Sequence, residues 1–202
     1  RKRYGPLTVR EILKYSSNIG SAKIAQKMGK EKFYNYIQKF GFGSKTGIDL
    51  PGESSGLVRP VRDWVKVDTS MIAFGQGISV TAIQLISAVS AIANNGVLMK
   101  PYIVRGIADQ DNRLVKLYTP TVVRQVISPR VAKSVTNMLM DVVGAEDGTG
   151  KNAKIVNVAV AGKTGTSQKF DTARGVYSSE KVRTSFMGRS EEHTSELQSR
   201  QS

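Results

Sequence analysis

Residues Val156-Asn157-Val158-Ala159-Val160-Ala161 place valine at every second position, then give way to Gly162-Lys163-Thr164-Gly165-Thr166. A period of two is the rhythm of a β-strand, so this run commits its part of the chain to a sheet whose end is basic and hydroxylated. Val176 to Met187 makes a second such stretch, and the pair predicts an antiparallel hairpin joined by a polar loop. The earlier residues keep a different rhythm. Thr8 to about Tyr15 predicts a short helix, with Thr8 as N-cap and Glu11 completing a capping box. Ser16-Ser17-Asn18 interrupts it, because these side chains bond the local backbone and favour turns and caps. A second helix runs from about Ile19 to Met28 and stops at Gly29, and a third from Glu31 to Phe40 puts Phe33, Ile37 and Phe40 on one face.

Gly41-Phe42-Gly43, Asp49-Leu50-Pro51-Gly52 and Ser54-Ser55-Gly56 mark a turn-rich connection. The helix from Thr81 to Asn94 is expected to bury Leu85, Val89, Ile92 and Ala93. Ser128-Pro129 opens another, burying Val131, Val135, Met138, Leu139 and Val142 and stopping at Gly144. Short strands are expected between Tyr102 and Val126. Helices lead and strands close, which is the order of an α+β fold with a helical subdomain and an antiparallel sheet.

With 202 residues, 40% of them hydrophobic, the chain can build one domain with a real core. Its longest uncharged stretch, Thr69 to Met99, is broken by Gly75, Gln76, Gly77 and Gln84, which fits a buried helix rather than a membrane span. The absence of cysteine excludes disulfides and thiolate metal sites, and neither a metal nor an organic cofactor is expected. A formal charge of +14 invites nucleic acid as a partner. The bases are dispersed, however, with no dense tract and no interleaved aromatics, so no nucleic acid is expected. A solvated basic surface of this kind suits anionic envelope polymers and lipid headgroups. After Gly188 the character changes. Residues 189–202, Arg-Ser-Glu-Glu-His-Thr-Ser-Glu-Leu-Gln-Ser-Arg-Gln-Ser, are polar and aperiodic and resemble a translated sequencing adapter. The domain is therefore read as 1–188 with 189–202 as an artefactual tail, and the only histidine, His193, falls in that tail.

A strand-edge lysine supplies positive potential, neighbouring hydroxyls can donate to a carboxylate, and a strand N–H can face a developing oxyanion. Lys163, Thr164, Gly165 and Thr166 offer all of these, and Gly165, lacking Cβ, admits a substrate backbone. A lone Lys-Thr-Gly is usually an ordinary strand end. The chain contains a second, Lys45-Thr46-Gly47, in the turn-rich connection with no alternating strand before it, and this one is expected to be non-catalytic. In Ser16-Ser17-Asn18, Ser16 is suited to relaying protons, and Asn18 to holding a substrate amide and positioning a lysine. The only Ser-x-x-Lys, Ser178-Ser179-Glu180-Lys181, falls in the polar hairpin stretch, whereas such a nucleophile opens a helix with its lysine one turn on. It is read as coincidence. Gly148-Thr149-Gly150-Lys151-Asn152 fails as a phosphate loop, because Asn152 replaces Ser/Thr and Ala145 stands where the first glycine belongs.

Ser-x-Asn followed by Lys-Thr-Gly makes two of the three motifs of penicillin-binding proteins and serine β-lactamases, in this order. Over residues 4–188 the chain resembles part of the transpeptidase domain of a class B penicillin-binding protein, most like the septal cell-division type. The resemblance rests on Ser16-Ser17-Asn18-Ile19-Gly20, on Phe40-Gly41-Phe42-Gly43 with Thr46-Gly47-Ile48-Asp49-Leu50-Pro51-Gly52-Glu53, and on Phe74-Gly75-Gln76-Gly77 with Thr81 and Gln84-Leu85. It rests also on Val160-Ala161-Gly162-Lys163-Thr164-Gly165-Thr166 and Ser185-Phe186-Met187-Gly188.

The resemblance implies a serine β-lactamase/transpeptidase-like fold, truncated here at both ends. It implies that Ser16 and Asn18 form the second active-site motif, that Lys163, Thr164 and Gly165 form the third, and that the Thr164 and Thr166 hydroxyls bind a substrate or β-lactam carboxylate. The Thr166 N–H would be half of an oxyanion hole. The nucleophile would lie roughly fifty residues before Ser16, outside this chain, leaving the chain itself inactive. The implied parent is a D,D-transpeptidase cross-linking peptidoglycan stem peptides, inhibited by β-lactams. It would work with cell-division proteins and be anchored on the extracytoplasmic face of the cytoplasmic membrane. Two alternatives stay open: a non-catalytic homologue binding peptidoglycan or a partner, and a D,D-carboxypeptidase or β-lactamase relative.

Overall fold

The computed structural model describes residues 4–171 and 176–190, with the backbone alone for 168–171 and 176–181. The described residues form two compact units. One contains residues up to Lys27, Val67–Gln76 and the residues from Ser134 onward; the other contains Met28–Lys66 and Gly77–Lys133. Helices and antiparallel strands are both present, so the fold is α+β. No described helix is long and apolar enough to cross a membrane.

The first unit begins with α1 (Val9–Lys14), whose N-cap Thr8 and Glu11 form the expected capping box. The next helix, α2 (Asn18–Met28), is capped by Ser17, whose hydroxyl accepts from the Gly20 N–H at 3.1 Å. Between the helices Ser16 adopts φ 53°, the left-handed region. Gly20 is required here for another reason: a Cβ would lie 2.5 Å from the buried Ile12 side chain, so its absence lets α2 close on α1. The other helices are α4 (Asp68–Ala73) and most of α6 (Pro129–Gly144). Val131 is 46% exposed, contrary to expectation; the deepest positions of α6 are its neighbour Ala132 near the start and Val142 and Val143 near the end.

The closing hairpin pairs β5 (Val160–Asp171) with β6 (Val176–Ser190) antiparallel, opposing Lys163 to Met187, Thr164 to Phe186, Gly165 to Ser185 and Thr166 to Thr184. The strand starts at Val160 rather than at Val156. Asn157 turns back at φ 62°, an isolated Ile155–Val158 bridge closes the turn, and Val156 is left exposed. Pairing continues through Arg189 and Ser190, opposite Ala161 and Val160. His193 and the rest of the tail lie outside the described residues.

In the second unit, α3 (Lys30–Lys39) and the Trp64 ring pack through edge contacts with Phe33 and Tyr34. The helix α5 (Ala82–Ala93) precedes β1 (Val97–Lys100), which pairs with β4 (Thr121–Gln125); β2 (Gly106–Ala108) pairs with β3 (Leu114–Leu117). Ala91, Leu98 and Val126 form a buried cluster with Phe40 and Ile127 against it. The buried face of α5 is Gln84–Ala88–Ala91, while Leu85, Val89, Ile92 and Ala93 are only half-buried. A hydropathy pattern misses this because the deepest residue is an amide. The Gln84 Nε2 donates to Ser44 O and Ser55 O, both at 2.8 Å, and its Oε1 accepts from the Thr81 N–H, so burial leaves nothing unsatisfied.

Candidate active site

Ser16 and Lys163, 147 positions apart, meet in the first unit: the Lys163 Nζ donates to the Ser16 Oγ at 2.8 Å. The strand β5 supplies the lysine and the α1–α2 corner supplies the hydroxyl. The same Nζ donates to Thr164 O at 2.9 Å and lies 3.5 Å from Thr164 Oγ1. Burial holds the Lys163 ammonium below its usual pKa, since removal from water penalises the charged form. Its hydroxyl and carbonyl acceptors work in the opposite sense, keeping a cation in place where the surroundings disfavour one.

Of the other residues marked out by sequence, Gly165 stands opposite Ser185, and a Cβ there would lie 2.6 Å from the Ser185 Oγ. Glycine at this position therefore also lets the two strands of the hairpin fit together. Gly162 is bound by a similar constraint, because its Cβ would overlap the Phe186 ring. Thr166 is exposed, and Asn18 is exposed on the first residue of α2. Among the described residues no hydrogen bond joins either side chain to the Ser16–Lys163 pair. Lys45-Thr46-Gly47 lies in the second unit, outside any strand. The backbone of Ser178–Lys181 belongs to β6, a strand, which is not the helix start that a nucleophilic Ser-x-x-Lys requires.

Around the pair lies a shell that sequence reasoning passed over. Thr149, in the failed phosphate loop, places its Oγ1 3.5 Å from Thr164 Oγ1 and donates from it to Lys14 O at 3.0 Å. The Asp147 carboxylate accepts from Lys14 Nζ at 3.0 Å and from the Tyr15 hydroxyl at 2.8 Å. Those two donors hold Asp147 below the usual carboxylate range, and Lys14, hydrogen-bonded to Tyr15 and Asp147, is raised above the usual lysine value. No sequence signal pairs residues 14–16 with 147–149. Each stretch reads as an ordinary helix end or turn.

The Penicillin binding protein transpeptidase domain model matches residues 1–197. The chain is 43% identical to Stage V sporulation protein D of Bacillus subtilis, in a match covering 82% of this chain and 26% of that protein. It is 37% identical to the penicillin-binding protein PbpB of Mycolicibacterium smegmatis, covering 85% of this chain and 27% of that one. The chain thus spans about a quarter of the length of these curated relatives. Among solved structures, penicillin-binding protein 3 of Mycobacterium tuberculosis in complex with aztreonam matches with TM-score 0.85 and 34% identity, over 92% of this chain and 42% of that one. The same protein in complex with ampicillin matches equally well, with TM-score 0.85 and 34% identity over the same shares of the two chains.

Proposed function

This chain belongs to the penicillin-binding protein transpeptidase domain family, and on that premise we propose that it contributes the carboxylate-binding and proton-relay half of a peptidoglycan D,D-transpeptidase site. The observation that carries the reading is the 2.8 Å bond from Lys163 to Ser16, which joins the Ser-x-Asn and Lys-Thr-Gly motifs in one place. A stem peptide ending in a free carboxylate would lie along β5, its carboxylate accepting from the Thr164 and Thr166 hydroxyls under the field of Lys163. Serine attack on the penultimate peptide carbonyl forms the acyl-enzyme. The Thr166 N–H faces the developing oxyanion, and Ser16 passes a proton toward the departing amine, with Asn18 holding the peptide amide. A second stem-peptide amine then displaces the serine and forms the cross-link. A β-lactam enters by the same contacts and stops at the acyl stage.

The acyl-accepting serine in this reading is not Ser178, whose backbone is in a strand. It belongs to a helix-opening Ser-x-x-Lys outside residues 1–202, so the 202-residue chain alone forms no penicillin adduct. The parent works at the extracytoplasmic face of the cytoplasmic membrane with cell-division partners. A relative bearing the name of a peptidoglycan D,D-transpeptidase supports the transpeptidase part of this reading. Fluorescent penicillin applied to the longer protein that carries these residues tests the reading. Stoichiometric labelling at a serine upstream of Arg1 is expected. No labelling would leave the non-catalytic peptidoglycan-binding homologue in its place, and rapid turnover of the label would favour a carboxypeptidase or β-lactamase.

A further inference from the structure

We propose that Asp147 and Thr149 are positioning residues for Ser16: they clamp residues 14 and 15 so that the Ser16 hydroxyl is presented to Lys163. This rests on the transpeptidase reading above. Ser16 needs such support, because at φ 53° it sits in a region disfavoured for any residue with a Cβ. On its C-terminal side the corner is fixed by the Ser17 cap of α2 and by the Ser17 N–H bonded to Ile12 O at 3.0 Å. On its N-terminal side the fixing groups come from 132 to 135 residues further along the chain. Lys14 O accepts twice from Thr149, from its N–H at 3.2 Å and its Oγ1 at 3.0 Å. The Asp147 carboxylate takes both the Lys14 ammonium and the Tyr15 hydroxyl, and the Lys14 Nζ lies 4.5 Å from the Tyr15 ring centre.

The clamp is itself anchored. The Gly150 N–H donates to Val142 O at 2.8 Å at the end of α6, and a Cβ on Gly148 would overlap that same carbonyl. The chain can therefore pass this point only without a side chain, in one path. Thr149 touches both halves of the site. Its single hydroxyl proton goes to Lys14 O, so toward Thr164 Oγ1 at 3.5 Å it can only accept. One threonine thus fixes the corner carrying Ser16, while at 3.5 Å its contact with the first hydroxyl after Lys163 is at the long limit of a hydrogen bond.

The test measures the acylation rate of the longer transpeptidase with fluorescent penicillin. Thr149→Val and Asp147→Ala should each slow acylation by about tenfold, while Thr149→Ser, which keeps the hydroxyl, stays within about twofold of the parent. Ser16→Ala should slow it too, and adding Thr149→Val to Ser16→Ala should change nothing further, because both act through one hydroxyl. Undiminished acylation in Thr149→Val, or an equal loss with and without Ser16, overturns the proposal. If the unsubstituted protein does not label, the transpeptidase reading fails on its own. The clamp is then read from the Lys163 side-chain NMR signal, which Thr149→Val and Ser16→Ala should displace alike. A signal left in place by Thr149→Val overturns the clamp in that case as well.

Discussion

Lys-Thr-Gly occurs at 45–47 and again at 163–165, and the two segments use the same donors differently. In the first, the Thr46 N–H and hydroxyl and the Gly47 N–H all donate to the Glu53 carboxylate, at 2.6, 2.5 and 3.0 Å. Partial burial pushes the Glu53 carboxyl up, but the bonds from Thr46 and Gly47 outweigh it and hold the group below its ordinary 4.5. Gly47 turns the chain at φ 76°, and Lys45 is exposed. In the second, the tripeptide lies on β5, Lys163 is half-buried against the Ser16 hydroxyl, and among the described residues no carboxylate reaches Thr164. A threonine hydroxyl next to backbone N–H groups is thus competent to cradle a carboxylate in this very chain. The first segment has its own carboxylate in the cradle; the second has a cation and hydroxyls and, among the described residues, no carboxylate of its own. Context on the sheet, rather than the tripeptide, separates them.

The largest effect should come from the lysines. In the longer protein that carries these residues, Lys163→Ala should cut penicillin acylation by about 100-fold or more, against less than about twofold for Lys45→Ala. Similar losses in the two would erase the contrast. Next come the glycines, which are needed for different reasons. Gly47→Ala meets a left-handed backbone and should cost about 1 kcal/mol in a denaturant titration, with acylation kept. Gly165→Ala meets the Ser185 Oγ instead, so Ser185→Gly should restore much of what it loses, whereas no neighbouring substitution rescues Gly47→Ala.

Glu53→Gln should cost about 1 kcal/mol at neutral pH, a value discounted for solvent screening. Because the folded pKa of Glu53 lies below its ordinary 4.5, its contribution is present above that value and lost as pH falls through the folded pKa. The gap between the parent and Glu53→Gln should therefore close in acid, and a gap independent of pH would break the internal-cradle account. The smallest effect is spectroscopic. Lys163 should titrate below 10.5 by side-chain NMR, and Ser16→Ala should move it lower still, since it removes an acceptor that favours the cation. An upward move would contradict this.

Much of the molecule was legible in the sequence because its signals are local. The Thr8 capping box, the Gly29 stop and the Ser16-Ser17-Asn18 break each involve neighbours within a turn. The separation of the two Lys-Thr-Gly copies was legible from the alternation before one and its absence before the other. Most of what failed was non-local, the Asn157 turn excepted. The burial of α5 turns on the Gln84 amide meeting two loop carbonyls, which a hydrophobicity pattern scores as a polar position. The strand lost its first valines to the Asn157 turn, because alternating residues can fit a reversal as well as a strand. Thr149 and Asp147 acquire meaning only when the fold brings them to residues 14–16. The meeting of Ser16 with Lys163 was legible only through the family resemblance, since nothing in either segment specifies the other.

The most direct test of the central claim is a crystal structure, with a penicillin bound, of the longer protein that carries these residues. The account predicts the ligand carboxylate within hydrogen-bond distance of the Thr164 and Thr166 hydroxyls, with Lys163 and Ser16 beside it and Glu53 still seated on Thr46 and Gly47. A ligand carboxylate bound elsewhere, with Thr164 and Thr166 bare, would contradict it.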